Sequence, residues 1–481
     1  MTDDSSPRAS LALKELLRSR PALIMLAVSA IVRAVYTAWA VLPYSDGELY
    51  DRLARGLLAN GTYGTPESWA PKAPGYSYFI AAVYGVFGDH HGALYFVQHL
   101  IDLGTAVLVL AIALEWGLSR RAAHVAFGIA LFNPFTLFWG SVVLSETISI
   151  FLFTLASWLA IRLTASPVAR YASFGATMSL LALVRPAFAA LAPAMLVGAL
   201  LIRRVAFKPW LRGSIVAGVA FVAIWAPWGI RNVSHFHRVV PYHVGDEHPR
   251  AGYNAWCYTW VTHMLDVYGA FWSKPPALPP YAFVSEAERE EVESLIKRRN
   301  VDDPHDPVNP PIDARFAELA EERKAAAPIR FWVVLPIKRA TSLWFTREVT
   351  VLAQANVRMD ELREAVHTRP IALGLKLSLF AIMPLMPLLI LGGAVLLWRS
   401  GKKTVVLPMI GGVVMTLIIE YLMLLRPAYL VVMEPRYVIE FFPPLTPAAV
   451  VALSALVAFA AKLRRRIGKR EVPVAAAEQP D

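Results

Sequence analysis

Long apolar stretches recur along the chain and are separated by short polar segments. A membrane-spanning helix needs about 18 or more consecutive apolar residues, and the first such run covers residues 21–41. Further runs predict spans at 93–116, 122–141, 147–163, 171–185, 187–202, 213–230, 370–398, 404–425 and 437–461. The pattern therefore predicts an all-α polytopic membrane protein with about ten transmembrane helices.

Two polar regions interrupt this pattern. Residues 44–92 follow the first span and predict a first external loop with short interfacial helices; the apolar piece 73–88 within it is either a short span or a hairpin at the membrane surface. Residues 231–368 contain Pro-rich pieces and a charged helical run, and predict one external soluble insert of mixed structure. The run at 21–41 exceeds the roughly 7–15 apolar residues of a signal peptide, so we expect an uncleaved anchor.

The resulting predicted organisation has four parts. They are an N-terminal transmembrane catalytic core at 1–230, the insert at 231–368, C-terminal transmembrane helices at 369–465 and a cytoplasmic tail at 466–481.

Basic residues gather at the ends of the apolar runs. Under the positive-inside rule these clusters face the cytoplasm, and all of them do so if 73–88 does not cross: 119–121, 162–170, 203–208, 399–403 and 464–466. Both termini are then cytoplasmic. We expect an integral inner-membrane protein whose loop 44–92 and insert face the periplasm or exterior.

Composition supports lipid as the main solvent. The chain is 56% hydrophobic and 17% charged, against about 25% charged in soluble proteins. The net charge of +11 lies in the clusters at span ends rather than in one stripe, so no nucleic-acid partner is predicted. Cys257 is the only cysteine, which excludes an intrachain disulfide and a metal site built from cysteines.

Several ionisable residues are expected at the external ends of spans. Each alone could mark where a helix leaves the bilayer, but charges in spans cost about 2.5–3.5 kcal/mol, so their convergence predicts a polar cavity. The residues are Asp46, Glu48, Glu146, Arg185, Arg231, Glu434 and Arg436.

Asp46 and Glu48 directly follow the first span. A carboxylate there can accept a proton from an attacking hydroxyl or hold a metal. Alternatively, Ser45 or Asp46 caps the next helix, where acidic residues are favourable in the first turn. Lys72, between two prolines, either holds a phosphate or is a lysine whose ammonium group reaches the interface.

Glu146 and Arg436 each allow a functional and a structural interpretation. Glu146 interrupts an apolar stretch, and the alternative is a helix start capped by Ser145. The planar guanidinium of Arg436 suits a phosphate or pyrophosphate, and the alternative is an ion pair with Glu434.

Six short motifs occur in order along the chain: SDGELYDRLARGLL, PKAPGYSYFIAAVYGVFG, LSET, LVRPAF, PWGIRN and EPRY. Together they resemble the C-type glycosyltransferases, specifically the bacterial family 39 branch that is similar to protein O-mannosyltransferases and lipid A aminoarabinose transferases. The resemblance implies that Asp46 is the catalytic acid residue, with Glu48 as its companion and Glu146 as the acid of the second loop. It also implies that Lys72 and Arg436 hold the donor phosphate. To this phosphate-binding set we add Arg185, Arg231 and Tyr437 by their expected position.

The resemblance implies a membrane glycosyltransferase with a polyprenyl-phosphate sugar donor. Transfer would be inverting and outside the cytoplasm, to a lipid, glycan or protein acceptor. No cofactor or metal ligand set is indicated, and a divalent metal is left open. LSET carries Glu where several relatives carry Asp, and the insert matches no known acceptor domain.

Two other functions stay open from the sequence. One is a transporter or flippase for a lipid-linked saccharide, since charges in spans also mark transport paths. The other is a ligase or polymerase that uses diphosphate-linked glycans. The absence of a visible repeat and the gathering of charges at one face favour the transferase over the transporter.

Overall fold

The structure, a computed structural model, describes residues 5–38, 46–65, 70–163, 168–203, 205–243, 250–273, 275–298, 309–345, 362–429, 431, 433–434 and 436–468. Every regular element in these ranges is a helix. The N-terminal part contains α1 (Ser5–Leu17), α2 (Arg20–Ala38), α3 (Asp46–Asn60), α4 (Pro74–Phe87), α5 (His91–Glu115), α6 (Arg120–Leu131), α7 (Pro134–Trp139), α8 (Glu146–Ile161), α9 (Val168–Val184), a 3-10 turn (Pro186–Ala190), α10 (Leu191–Arg203) and α11 (Phe207–Phe236).

The rest of the chain is also helical. The insert region contains α12 (Ala251–Cys257), α13 (Met264–Phe271), a 3-10 turn (Pro280–Ala282), α14 (Glu286–Arg298), α15 (Pro310–Ala326), a π-helical segment (Arg330–Val334), α16 (Leu335–Phe345) and α17 (Leu362–Thr368). The C-terminal part contains α18 (Pro370–Arg399), a 3-10 turn (Lys403–Val405), α19 (Val406–Leu425), α20 (Arg436–Ile439) and α21 (Phe442–Gly468).

The predicted spans all appear as apolar helices. Among the described residues, 7 helices are long and apolar enough to cross a membrane, and shorter apolar helices occupy Glu146–Ile161, Val168–Val184 and Pro186–Ile202. These segments correspond one to one with the predicted spans, so the all-α polytopic fold is confirmed.

Two predicted spans are interrupted by local sequence. Within 122–141 the helix ends at Leu131. The Asn133 side chain then accepts from the amides of Phe135 and Thr136 and caps α7, which has Pro134 at its first position. The last predicted span, 437–461, begins instead with the short helix α20 and a turn before α21. The chain thus bends at both places.

The helix ends fall into two groups. We call the end of the bundle with Arg120 and Arg162 the basic end, and the opposite end, with the contact between Gln98 and Val142, the site end. At the basic end, Glu115 pairs with Arg162 at 3.4 Å, and Glu15 pairs with Arg120 at 2.7 Å. At the site end, the Gln98 side chain donates to the carbonyl of Val142 at 2.9 Å. Arg120 and Arg162, from two of the clusters predicted to face the cytoplasm, thus lie at the same end of the bundle; which end faces the cytoplasm remains a prediction.

Helix α4 covers the segment whose crossing was left open. Its 14 residues extend about 21 Å, less than the roughly 30 Å hydrocarbon core of a bilayer. Its first turn packs on the end of α9, and Asp89 just after it is ion-paired with Arg55 of α3. Both ends of α4 therefore contact elements of the site end, which favours a segment that does not cross.

The described part of the insert packs around aromatic side chains. The Phe316 ring of α15 lies 5.1 Å from that of Tyr253 and 5.6 Å from that of Trp256. Helix α16 then runs along α19: buried Arg339 pairs with Glu420 at 3.1 Å, and the Trp344 indole donates to Thr416 at 3.0 Å. The last described helix before α17 is thus packed on a membrane-type helix. The predicted boundaries of the four parts stay predictions.

Candidate functional site

A cavity of about 300 Å³ opens at the site end, between the starts of α3, α4 and α8, the end of α9, helix α19 and α20. Six of the eight predicted site residues line it: Asp46, Lys72, Glu146, Arg185, Arg436 and Tyr437. They come from segments up to about 390 residues apart in sequence (46 to 437). Tyr50 and His243 also line the cavity and were not predicted.

Asp46 and Lys72 meet at one wall of the cavity. The Lys72 ammonium lies 3.3 Å from a carboxylate oxygen of Asp46, and the two side chains are 21% and 38% exposed. Asp46 is the first residue of α3, as the capping alternative expects, and Ser45 lies outside the described residues. Burial raises the pKa of nearby Tyr50 to about 12, and Asp46 acts in the same direction, so this phenol stays neutral.

Two glycines hold the first loop close to the bundle. A Cβ at Gly47 would lie 2.6 Å from the carbonyl oxygen of Val143, just before the LSET motif. A Cβ at Gly75 would lie 2.8 Å from backbone atoms of Leu183 and Val184 at the end of α9. Only glycine allows these approaches, so they fix the positions of Asp46 and Lys72 relative to α8 and α9.

Glu146 lies between the two arginines of the site. One of its carboxylate oxygens accepts from Arg436 at 3.2 Å and lies 3.5 Å from Arg185. Glu146 is 1% exposed, and its second oxygen is buried without a hydrogen-bond partner. The predicted alternative, a Ser145 cap, is not observed, because the Ser145 side chain makes no capping hydrogen bond.

Two more buried carboxylates complete this network. Glu434 lies 2.6 Å from Nε of Arg436, so the predicted ion pair exists alongside the contact with Glu146. Glu440 is ion-paired with Arg185 and fully buried, and sequence reasoning missed it. The only signal for it is a carboxylate inside the apolar run VIEFFPP. Together, three carboxylates face two guanidinium groups.

Burial shifts the proton affinities of this network. It raises the pKa of Glu434, although Arg436 opposes the change. Burial by itself would lower the pKa of Arg436, but Glu434 and Glu146 hold that pKa well above its usual range. Arg436 therefore stays charged, and Glu434 takes up a proton more readily than an exposed glutamate.

The opposite wall of the cavity is apolar. Met415, Ile418, Ile419 and Leu422 line it from one face of α19, with the spacing that a helix gives to neighbouring side chains. In the sequence these residues are part of an ordinary hydrophobic span, and nothing distinguishes them. The cavity therefore combines a charged wall with a hydrophobic one.

Glu48 and Arg231 do not line the cavity. Glu48 is exposed on α3. Arg231 donates to the carbonyl of Tyr63 and, at 2.9 Å, to Asn232, while its guanidinium lies 4.6 Å from the ring centre of Trp228. These contacts tie the first loop to α11.

Metal binding was left open from the sequence. Within the described ranges, His, Cys, Asp and Glu side chains form no group of three or more that could hold a metal ion.

The chain was compared with known proteins. No family model matches it, and no curated protein matches it. Similar solved structures include ArnT from Cupriavidus metallidurans bound to undecaprenyl phosphate. The sequence identity is 16% and the TM-score is 0.42, and the alignment covers 90% of this chain and 78% of that chain. The same ArnT in the apo state has 16% identity, coverage of 89% and 77%, and a TM-score of 0.39. An apo Archaeoglobus fulgidus oligosaccharyltransferase has 13% identity and a TM-score of 0.48; the alignment covers 95% of this chain and 52% of that one, about half its length.

Because the identities are low and the TM-scores lie below 0.5, these similarities carry no functional argument. The geometry of the cavity is the basis for a functional proposal.

Proposed function

We propose that this chain is a membrane glycosyltransferase that moves a sugar from a polyprenyl-phosphate donor to a lipid, glycan or protein acceptor. The observation that carries the proposal is the single cavity in which Asp46, Lys72, Arg185 and Arg436 face the apolar wall of α19. A donor of this kind has a phosphate beside a long hydrocarbon chain, and both halves of such a molecule find a matching wall. We place the reaction at the external face of the inner membrane, following the positive-inside orientation.

The cations of the cavity suit the leaving group. A polyprenyl phosphate departs with growing negative charge, and fixed cations in a partly water-excluded cavity stabilise that charge more than they would in bulk water. Arg436 is positioned by Glu146 at 3.2 Å and Glu434 at 2.6 Å, so its fork is already oriented before the donor arrives. Arg185 is held in the same way by Glu440.

Asp46 is the group best placed to accept the proton. The acceptor hydroxyl or amine attacks the anomeric carbon, and its proton passes to the Asp46 carboxylate. The bond between that carbon and the phosphate oxygen breaks, and the electron pair leaves with the polyprenyl phosphate. Displacement from the side opposite the phosphate inverts the configuration of the sugar.

The contact between Asp46 and Lys72 implies that donor binding precedes proton transfer. The ammonium of Lys72 lies 3.3 Å from a carboxylate oxygen of Asp46. A donor phosphate competes for the same ammonium. When Lys72 turns to the phosphate, its ammonium no longer covers the Asp46 carboxylate, which can then accept the proton of the acceptor.

Glu146 fits a positioning role better than a catalytic one. It is 1% exposed and already accepts from Arg436, so it is poorly placed to take a proton from an acceptor. Its charge instead holds the two guanidinium groups of the site together. Tyr437 lies under both of them, with guanidinium carbons 5.1 Å (Arg185) and 5.3 Å (Arg436) from its ring centre.

Incubation of the purified protein in detergent with a panel of polyprenyl-phosphate sugars tests the proposal. We expect donor loss with release of polyprenyl phosphate, and no release by the Asp46→Asn variant. Consumption of diphosphate-linked glycans alone would indicate a ligase or polymerase. In proteoliposomes, movement of an unconsumed lipid-linked saccharide across the bilayer would indicate a flippase.

A further inference from the structure

The insert contains a second and larger cavity, which we call the insert cavity. Its volume is about 460 Å³, and α14, α15 and the π-helical segment line it. Its walls are partly apolar, with Leu319, Phe331 and Leu335 among them, and partly charged. None of its lining residues lines the cavity of the proposed donor site.

The carboxylates of the insert cavity are already engaged. Glu288 pairs with Arg323 at 2.5 Å and also accepts from the Trp256 indole and the Val284 amide, each at 3.0 Å. Glu291 and Glu322 hold Arg315 at 2.6 and 2.8 Å. Each of these acids therefore faces a guanidinium group of the same cavity.

Two arginines of the cavity keep unused hydrogen-bond donors. The Arg323 side chain is only 9% exposed, and its Nε is buried without a hydrogen-bond partner. Arg330 also lines the cavity, and it forms no ion pair with any residue in the described ranges. Burial lowers the pKa of Arg323, and the nearby Arg330 acts in the same direction, so an anion placed near both would relieve unfavourable electrostatics.

The rim of the insert cavity is apolar. Val284 lines the cavity and is 62% exposed, and Ile329, next to Arg330, is 73% exposed. The exposed apolar side chains continue along the π-helical segment and α16 through Trp332 and Ile337. Because α16 packs on α19, this strip lies beside a helix that is long and apolar enough to cross a membrane.

We propose that the insert cavity is a second ligand site, which binds the anionic head group of a membrane amphiphile through Arg323 and Arg330. Phosphate or carboxylate oxygens would accept from the two guanidinium groups, and the apolar part of the ligand would lie on the exposed strip. This site is separate from the cavity of the proposed donor site, which we call the donor cavity, but adjacent to it. Tyr258 lies between the two cavities. It directly precedes Thr259, which lines the insert cavity. Its hydroxyl accepts at 2.9 Å from the amide of Val431, which lines the donor cavity.

The test measures binding by the full-length protein in detergent, by isothermal titration. The probes are dihexanoyl-phosphatidylglycerol, which is an anionic amphiphile; dihexanoyl-phosphatidylcholine, which is zwitterionic; and glycerol 3-phosphate, which is a soluble anion. Arg330→Glu is the test variant, because its side chain is exposed and its replacement should not unfold the insert. Arg289→Ala is the matched control, since this arginine of α14 does not line the cavity.

We expect phosphatidylglycerol to bind more tightly than either other probe. Arg330→Glu should weaken that binding by about tenfold or more, as expected for a lost charge-assisted contact, and Arg289→Ala should bind as wild type. Equal binding of phosphatidylglycerol by wild type and Arg330→Glu would overturn the proposal. Equal binding of phosphatidylcholine would refute the anionic head group, and equal binding of glycerol 3-phosphate would refute the membrane source. The readout is binding, so it does not depend on sugar transfer.

Discussion

Two of the groups of buried charges in the helix bundle differ in stoichiometry and surroundings. Between α2 and α5, one arginine meets one carboxylate: Arg33 and Asp102 lie 2.5 Å apart, and their side chains are 5% and 3% exposed. At the site end, two arginines meet three carboxylates beside an open cavity. Neither residue of the first pair lines the donor cavity or the insert cavity.

The two groups differ in how their charges can respond to a ligand. Burial is similar in both groups, so burial alone does not identify a site. A matched pair neutralises itself and holds two helices together. Where charges are unevenly matched and border a cavity, they can respond to an incoming ligand. Variants of one group or the other should therefore separate effects on activity from effects on stability.

The largest effect is expected from Asp46→Asn. The amide keeps the shape of the side chain but cannot accept the acceptor's proton, and loss of a general base typically lowers the rate by about 10²–10⁴. The rate of sugar transfer is measured in single-turnover experiments, and donor binding is measured separately. Binding should persist, and near wild-type turnover would remove Asp46 from the mechanism.

A comparably large free-energy change, but in stability rather than activity, is expected from Asp102→Asn. Removal of one partner leaves Arg33 as an uncompensated buried charge, which typically costs about 3–5 kcal/mol. Thermal unfolding in detergent should show a lower Tm, while kcat per folded molecule stays unchanged. A selective loss of kcat without a change in Tm would erase the distinction between the two groups of charges.

A smaller effect on activity is expected from Arg436→Ala. A hydrogen bond to a charged group contributes about 1.5–3 kcal/mol, so donor kcat/KM should fall by about 10- to 100-fold. Arg436→Lys should recover part of this, because lysine supplies charge without the planar fork. Lys72→Ala should act in the same direction.

Arg231→Ala is the matched control for Arg436→Ala, since Arg231 lies at the same end of the bundle but outside the cavity. Its donor KM should change less than that of Arg436→Ala. If donor kinetics are unchanged in Arg436→Ala, the phosphate-binding role is wrong.

The smallest effect is expected from Glu434→Gln, through pH. Burial raises the pKa of Glu434 above its ordinary value of 4.5, so the carboxyl takes up a proton as pH falls through that raised value. Protonation removes one negative charge from the surplus around Arg185 and Arg436, so donor affinity should rise as pH falls through this window. Glutamine mimics the protonated form. Donor KM plotted against pH should therefore be lower and flatter for Glu434→Gln, and parallel wild-type and variant curves would contradict this role.

The spans could be predicted because a membrane helix is determined by local composition. Each predicted span corresponds to an apolar helix, and the basic residues at span ends grouped Arg120 with Arg162 at one end of the bundle. The helix breaks at Asn133 and before α21 were missed. They depend on single capping and turn residues, which a hydropathy pattern does not reveal.

The site could be predicted only in part. Charged residues in apolar surroundings are conspicuous, and this is why Asp46, Glu146 and Arg436 were found. Glu440 was missed because it lies inside an apolar run, and its role depends on Arg185, which is 255 residues away in the chain. Arg231 was assigned to the cavity by its position at a span end, but the direction of its side chain depends on packing against Trp228.

The close contacts at Gly47 and Gly75 also limit how this sequence can vary. Exposed residues of the first loop, such as Glu48, can change by drift without moving the acid, because they face solvent. Positions 47 and 75 cannot, since a single methyl group at either would have to occupy space already filled by backbone atoms 2.6 to 2.8 Å away. An alanine there would leave every charged group in place and still shift α3 or α4 against the bundle. In chains that share this architecture, these two positions should accept glycine alone, even where the neighbouring acids and bases have diverged.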